Sequence, residues 1–202
     1  MRLCKLLLAS VGVTVLFGVL AWGAFARNFE VSNQRIRGIF TSIEYHLPGV
    51  STRCAITLEG SLHTRTMTKV LGTLIGYITR EDLGACTAGT ATVLTSTLPW
   101  HVKYSGFLGT LPEISSIITH VIGSAWRVRE AEGIACLATS TTTEPVIVNY
   151  HRETAGRVLT AAEIRGTIRT RFECLGIAGS FRSDRGALVG SPNGERVTLN
   201  LI

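Results

Sequence analysis

The residues of this chain that could do chemistry are its cysteines, its histidines and one row of arginines. Cys54, Cys86, Cys136 and Cys174 contain no C-x-x-C pair, so the spacing argues against a zinc site. An even number of cysteines in an exported chain predicts a disulfide framework instead. Four cysteines allow three connectivities, and the favoured one is Cys54–Cys86 with Cys136–Cys174, each bridge stapling its own half of the chain. Each loop would contribute roughly 3.5–4 kcal/mol in the chain-entropy model. Paired cysteines are not available as nucleophiles. His46, His63, His101, His120 and His151 are dispersed without an H-x-x-x-H or H-E-x-x-H pair, so they read as surface histidines rather than metal ligands. Asp82 and Asp184 are the only aspartates, too few for a calcium loop. A serine triad would need one of them, or a glutamate, behind a histidine. No G-x-S-x-G elbow is present, since Gly123-Ser124 and Gly179-Ser180 lack the flanking pattern. A hydrolase using His101 or His120 therefore stays open only as a site assembled in the fold. No cofactor motif is found. Arg165, Arg169 and Arg171 fall on one face of an alternating stretch and form the candidate anion-binding face, suited to an anionic envelope polymer or lipid headgroups. The competing reading is an edge strand that uses charge to resist sheet-to-sheet aggregation.

Those residues sit in a chain whose beginning carries an address. Arg2 and Lys5 precede an uncharged apolar run over residues 6–26 that ends in Ala24-Phe25-Ala26. This is the pattern of a secretory signal peptide cleaved before Arg27. The alternative reading is an uncleaved anchor, because the run is long enough to span a bilayer. Cys4 lies before the run, where no lipobox would place it. Residues 27–202 suit a single domain, with 139–145 as an internal loop or linker. The formal net charge of +6 and the dispersed basic residues give no nucleic-acid footprint.

The elements that must position these residues read as strands. Between Pro99 and Pro112, Trp100, Val102 and Tyr104 alternate with His101, Lys103 and Ser105, the period of a half-buried strand. Thr-Leu-Pro occurs twice, at Thr97-Leu98-Pro99 and Thr110-Leu111-Pro112, and reads as a pair of strand-entry markers. Residues 36–45 and 54–60 read as strands, the second with Cys54, Ile56 and Leu58 on one face. Residues 64–78 read as short bent strands, 80–85 as a polar connection, and 90–97 as a strand. Residues 114–130 fit either a capped helix or a long strand bulged at Gly123; the β-branched content favours the strand. The chain is expected to end in a hairpin turned by Ser191-Pro192-Asn193-Gly194. Trp100, Tyr104, Phe107 and Trp126 either fill the core or line a ligand cavity.

The run Thr90-Ala91-Thr92-Val93-Leu94 with Thr97-Leu98-Pro99-Trp100-His101-Val102, Tyr104, Phe107 and Gly109-Thr110-Leu111-Pro112 resembles a pattern of uncharacterised secreted bacterial proteins. Residues 58–63 and 123–128 fit the same pattern. The resemblance covers about residues 54–137 and implies secretion and a strand over 116–130, with no activity, cofactor or catalytic residue attached; the tail with Cys174 departs from it.

The expectation is an exported, all-β antiparallel sandwich or barrel stapled by two disulfides. Its expected role is non-enzymatic, as a cell-envelope or extracellular structural or binding protein. A barrel that carries an apolar ligand is the first alternative, and a hydrolase the second.

Overall fold

A computed structural model describes residues 28–47, 50–129, 133, 135–153, 157–172, 174, 176 and 178–202. Fifteen strands run in chain order: β1 (Phe29–Val31), β2 (Arg35–Leu47), β3 (Val50–Leu62), β4 (Thr66–Met67), β5 (Leu74–Cys86), β6 (Thr90–Val93), β7 (Trp100–Thr110) and β8 (Glu113–Ile122). They continue with β9 (Ala125–Arg129), β10 (Ala135–Thr139), β11 (Val146–Arg152), β12 (Val158–Phe172), β13 (Ala178–Ser183), β14 (Gly186–Gly190) and β15 (Val197–Leu201). The pairing is antiparallel throughout, and one 3₁₀ turn at Thr95–Thr97 is the only helical element among the described residues.

Collinear strands merge into eight staves. The fourth is β6 with β7, the fifth β8 with β9, the sixth β10 with β11 and the eighth β13 with β14, because the members of each pair line up against the same neighbouring staves, β6 pairing only on its β9 side. The staves β2, β3, β5, β6/β7, β8/β9, β10/β11, β12 and β13/β14 each pair with the one before, and the last pairs with the first. The result is an up-and-down barrel, one of the two architectures the alternation allowed. Gly186 lies on the closing seam, where a Cβ would meet Ile39 O at 2.5 Å, so only glycine lets β14 approach β2 this closely.

Alternation decides what lies inside. Trp100, Val102 and Tyr104 are buried and His101 is exposed, so the expected faces of β7 hold. Thr97-Leu98-Pro99 stands immediately before β7 at Trp100, whereas Thr110-Leu111-Pro112 starts on the last residue of β7 and makes the turn into β8 at Glu113. The Thr97 hydroxyl also accepts the indole N–H of Trp100 at 2.8 Å while donating to Leu94 O at 2.7 Å, which fixes the ring as the strand begins. Outside, the wall is charged: Arg37 pairs with Glu59, Arg53 with Glu44 and Arg185 with Glu163. An apolar lumen behind a charged wall is the reverse of a membrane-spanning barrel, which keeps its apolar band outside.

Both disulfides form with the favoured connectivity, Cys54–Cys86 and Cys136–Cys174. They stand toward one end of the barrel. The opposite end is covered by a small sheet in which β1 pairs with β15 and β4. Its buried Phe29, Val31, Met67, Val197 and Leu199 plug the opening.

Three expectations are corrected. Residues 80–85 are part of β5, because a bulge at Thr79, opposite Glu59 and Gly60 of β3, resets the register and puts Glu81 and Leu83 opposite Leu58 and Ile56. The long strand expected over 114–130 with a bulge at Gly123 is interrupted there instead: β8 stops at Ile122, Gly123 has a φ of +87°, and β9 resumes at Ala125 in the same stave; Glu130 lies outside the described residues. The terminal hairpin does not form. The turn is present, with Gly194 N–H donating to Gly190 O, but both edges of β14 are already taken by β12 and β2. β15 therefore swings away to pair with β1 and the start of β12.

Candidate functional site

Two places concentrate chemistry: a polar pair inside the lumen and the arginines of the wall. Inside, Glu81 of β5 is turned inward by the bulge and is only 6% exposed. Trp126 of β9 donates its indole N–H to Glu81 Oε1 at 2.7 Å. Trp126 is also the hub of an aromatic cluster, 5.1 Å from Trp100, 5.8 Å from Phe181 and 6.4 Å from Tyr45 between ring centroids. Glu81 Oε2 and the Tyr45 hydroxyl are buried with no hydrogen-bond partner among the described residues. Burial pushes the Glu81 carboxyl up to about 8, with the nearby Asp82 adding to the rise and the Trp126 bond opposing it. The phenol of Tyr45 is pushed well above its ordinary value by burial and then by the neighbouring Glu81. At neutral pH Glu81 is thus a neutral acid in an aromatic box, a group that holds a proton rather than one that binds a cation.

The lumen around it is filled. Among the described residues it holds voids of about 50 and 30 Å³, lined by side chains such as Phe40, Leu58, Val102 and Leu188 in the larger one. These spaces hold a few water molecules at most, and sites for drug-sized ligands run to about 300–1,000 Å³. Trp100, Tyr104 and Trp126 pack the core, and Phe107 packs against Phe29 of the end sheet.

On the wall, Arg165 and Arg169 of β12 both point outward, as their alternation requires. Arg169 is occupied by Glu144, which accepts at 2.9 and 3.3 Å and raises the guanidinium above its ordinary value. The Arg171 backbone pairs with Leu137, and its side chain lies outside the described residues. Arg182 of β13 is the cross-strand partner of Arg165, a neighbour that spacing along one strand does not reveal. Two like charges directly opposite are unfavourable until an anion sits between them. β12 is not an edge strand, since it pairs on both sides, so protection of an edge does not explain its arginines.

Among the described residues the histidines meet polar partners in three places, one of them His151 at 3.4 Å from Glu163. His120 meets Ser105 at 2.9 Å on the wall, and burial lowers its imidazole, but no carboxylate orients it. Ser51, His46 and Glu44 form a line of 3.5 and 3.3 Å along the β2–β3 pair. There the Glu44 carboxyl is held below its ordinary value chiefly by its bond from Arg53, and the serine is exposed to water without donors for an oxyanion. His101 meets Tyr77 edge to face, with 5.3 Å between ring centroids. Among the described residues no three His, Cys, Asp or Glu side chains come close enough to hold a metal.

No family model, curated protein or solved structure matches the chain. The functional reading therefore rests on the barrel itself. Sequence reasoning missed Glu81, because Arg80-Glu81-Asp82 is a run of three charges with no alternation to mark which of them faces inward.

Proposed function

We infer that this protein is an exported, non-enzymatic binding protein of the cell envelope or extracellular space that works through its outer surface. The observation that carries this reading is the filled lumen. A carrier of apolar ligands needs internal room, and voids of about 50 and 30 Å³ supply too little. Two disulfides fit an oxidising compartment, and the apolar run at residues 6–26 fits export. The partner this reading favours is an anionic envelope polymer or lipid headgroup, met on the wall by Arg165 and Arg182 across the strand.

Native mass spectrometry of protein purified from its own host tests this. The expected result is a chain with two disulfides carrying anionic adducts that high salt removes and that Arg165→Ser with Arg182→Ser reduces. A small apolar molecule retained at one copy per chain would overturn the reading in favour of a carrier.

A further inference from the structure

The end covered by β1, β4 and β15 differs from the rest of the surface. Six large apolar side chains are exposed among the described residues, and five of them, Val70, Leu71, Leu108, Leu111 and Ile202, stand at this end; only Ile39 is on the wall. Val70 and Leu71 form the turn between β4 and β5, at 63% and 71% exposure. That turn lies beside β7, where Gly72 N–H donates to Tyr104 O and Tyr104 N–H to Thr73 O. Leu108 and Leu111 belong to the neighbouring tip that joins β7 to β8. The two tips share a footing: Lys69 holds its ammonium 5.4 Å from the Phe29 ring, which packs at 6.0 Å against Phe107.

Basic groups surround the tips. Arg65 and Lys69 make no salt bridge among the described residues. Between the β7–β8 tip and β15 lies a cleft of about 230 Å³, lined by Pro112, Glu113, Arg152, Arg157 and Asn200 among others. Glu30, Glu113, Glu153 and Glu195 are the acids of this end, so its positive bias is modest. The chain also enters here. Asn28, the first described residue, accepts a backbone bond from Ile202, and the apolar run at 6–26 precedes it.

We propose that the capped end docks on an anionic lipid bilayer, with Val70, Leu71, Leu108 and Leu111 entering the headgroup region and Arg65, Lys69 and Arg157 meeting lipid phosphates. Convex apolar tips are poor material for a protein interface, which needs a broad complementary patch of about 800 Å² per partner. They suit a fluid interface that closes around them, where apolar burial and attraction of basic groups to anionic lipid act together. The location rests on the reading of residues 6–26 as an export segment, since that run brings this end to the membrane first.

The test places a tryptophan in the full chain at Leu71, at Leu108 or at Ile39, as Leu71→Trp, Leu108→Trp and Ile39→Trp. Emission is compared with the unsubstituted chain, which subtracts Trp22, Trp100 and Trp126. The probe is a vesicle of dibrominated phosphatidylcholine with phosphatidylglycerol. The expected result is a loss of about half the added emission at Leu71 and Leu108, a depth of about 5–10 Å, and no loss at Ile39. Weaker quenching is expected when phosphatidylglycerol is left out; equal quenching would overturn the role given to the basic groups. Tip tryptophans that stay open to aqueous iodide in the presence of vesicles would overturn the proposal. Tips protected from both iodide and bromine would overturn it too, because protein then covers them, either the N-terminal run or a second copy. If the tips fail while host-purified protein still carries an anionic polymer, the broader reading stands and this one falls.

Discussion

The two ends of the barrel are held together by different means. At the capped end β5 pairs with β7 from Leu74 to Ile78, the wall is continuous, and a plug of short strands covers the opening. Toward the other end β5 and β6 lie side by side without a ladder, so one seam of the wall lacks its row of backbone bonds. That is the end where both disulfides, the aromatic cluster and Glu81 are found. The difference teaches how a small barrel offsets an open seam: the Trp126–Glu81 bond and the packed rings reach across it, while the disulfides fasten strands that also pair, Cys54 of β3 to Cys86 of β5 and Cys136 of β10 to Cys174. The capped end, with its pairing intact, can leave apolar side chains facing outward.

Breaking each device should rank the contrast. Trp126→Ala has the largest expected effect, about 5 kcal/mol by denaturant unfolding, because it empties a ring-sized volume and leaves the Glu81 carboxyl without its donor. Glu81 comes next. Its folded pKa, about 8, lies above the ordinary 4.5, so the folded state holds the proton that the unfolded chain has lost. Stability is therefore full below about pH 4.5, falls through the window up to pH 8, and levels off above it, by on the order of 5 kcal/mol in all. Unfolding of Glu81→Gln measured from pH 5 to pH 8.5 should lose that slope; an unchanged slope would mean another group carries it. Glu44 and Glu163, held low by Arg53 and Arg185, work in the opposite direction and at more acid pH. Replacing Cys54 and Cys86 together by serine should cost about 3.5 kcal/mol and show its opening, by hydrogen exchange, first in β5 and β6. Phe29→Ala should cost about 3 kcal/mol, with early exchange confined to β1, β4 and β15. If the disulfide variant instead frayed the cap, the two ends would not be independent.

Much of the wall was legible because alternation is a local signal. Trp100 to Tyr104 and Trp126 to Val128 face inward as their spacing predicts, and the cysteines pair as chain order suggested. The closure of the last stave on the first was not legible, since nothing in residues 36–47 names residues 178–190 as partners. Bulges hid the next layer. The reset opposite Glu59 disguised 80–85 as a connection and with it the inward turn of Glu81. The terminal turn was read correctly and its consequence was not, because a turn sequence reports local geometry and not whether the neighbouring edge is free. On the candidate anion face the arginine row was visible along β12, while Glu144 beside Arg169 and Arg182 opposite Arg165 come from other strands.

The order of the staves has a kinetic consequence. Seven of the eight junctions join neighbours in sequence and can zip as each strand is completed, since nearby segments find one another quickly. The eighth joins residues 36–46 to residues 180–190 and must wait for almost the whole chain. Until then β2 keeps an open backbone edge, the state most prone to pairing with another molecule.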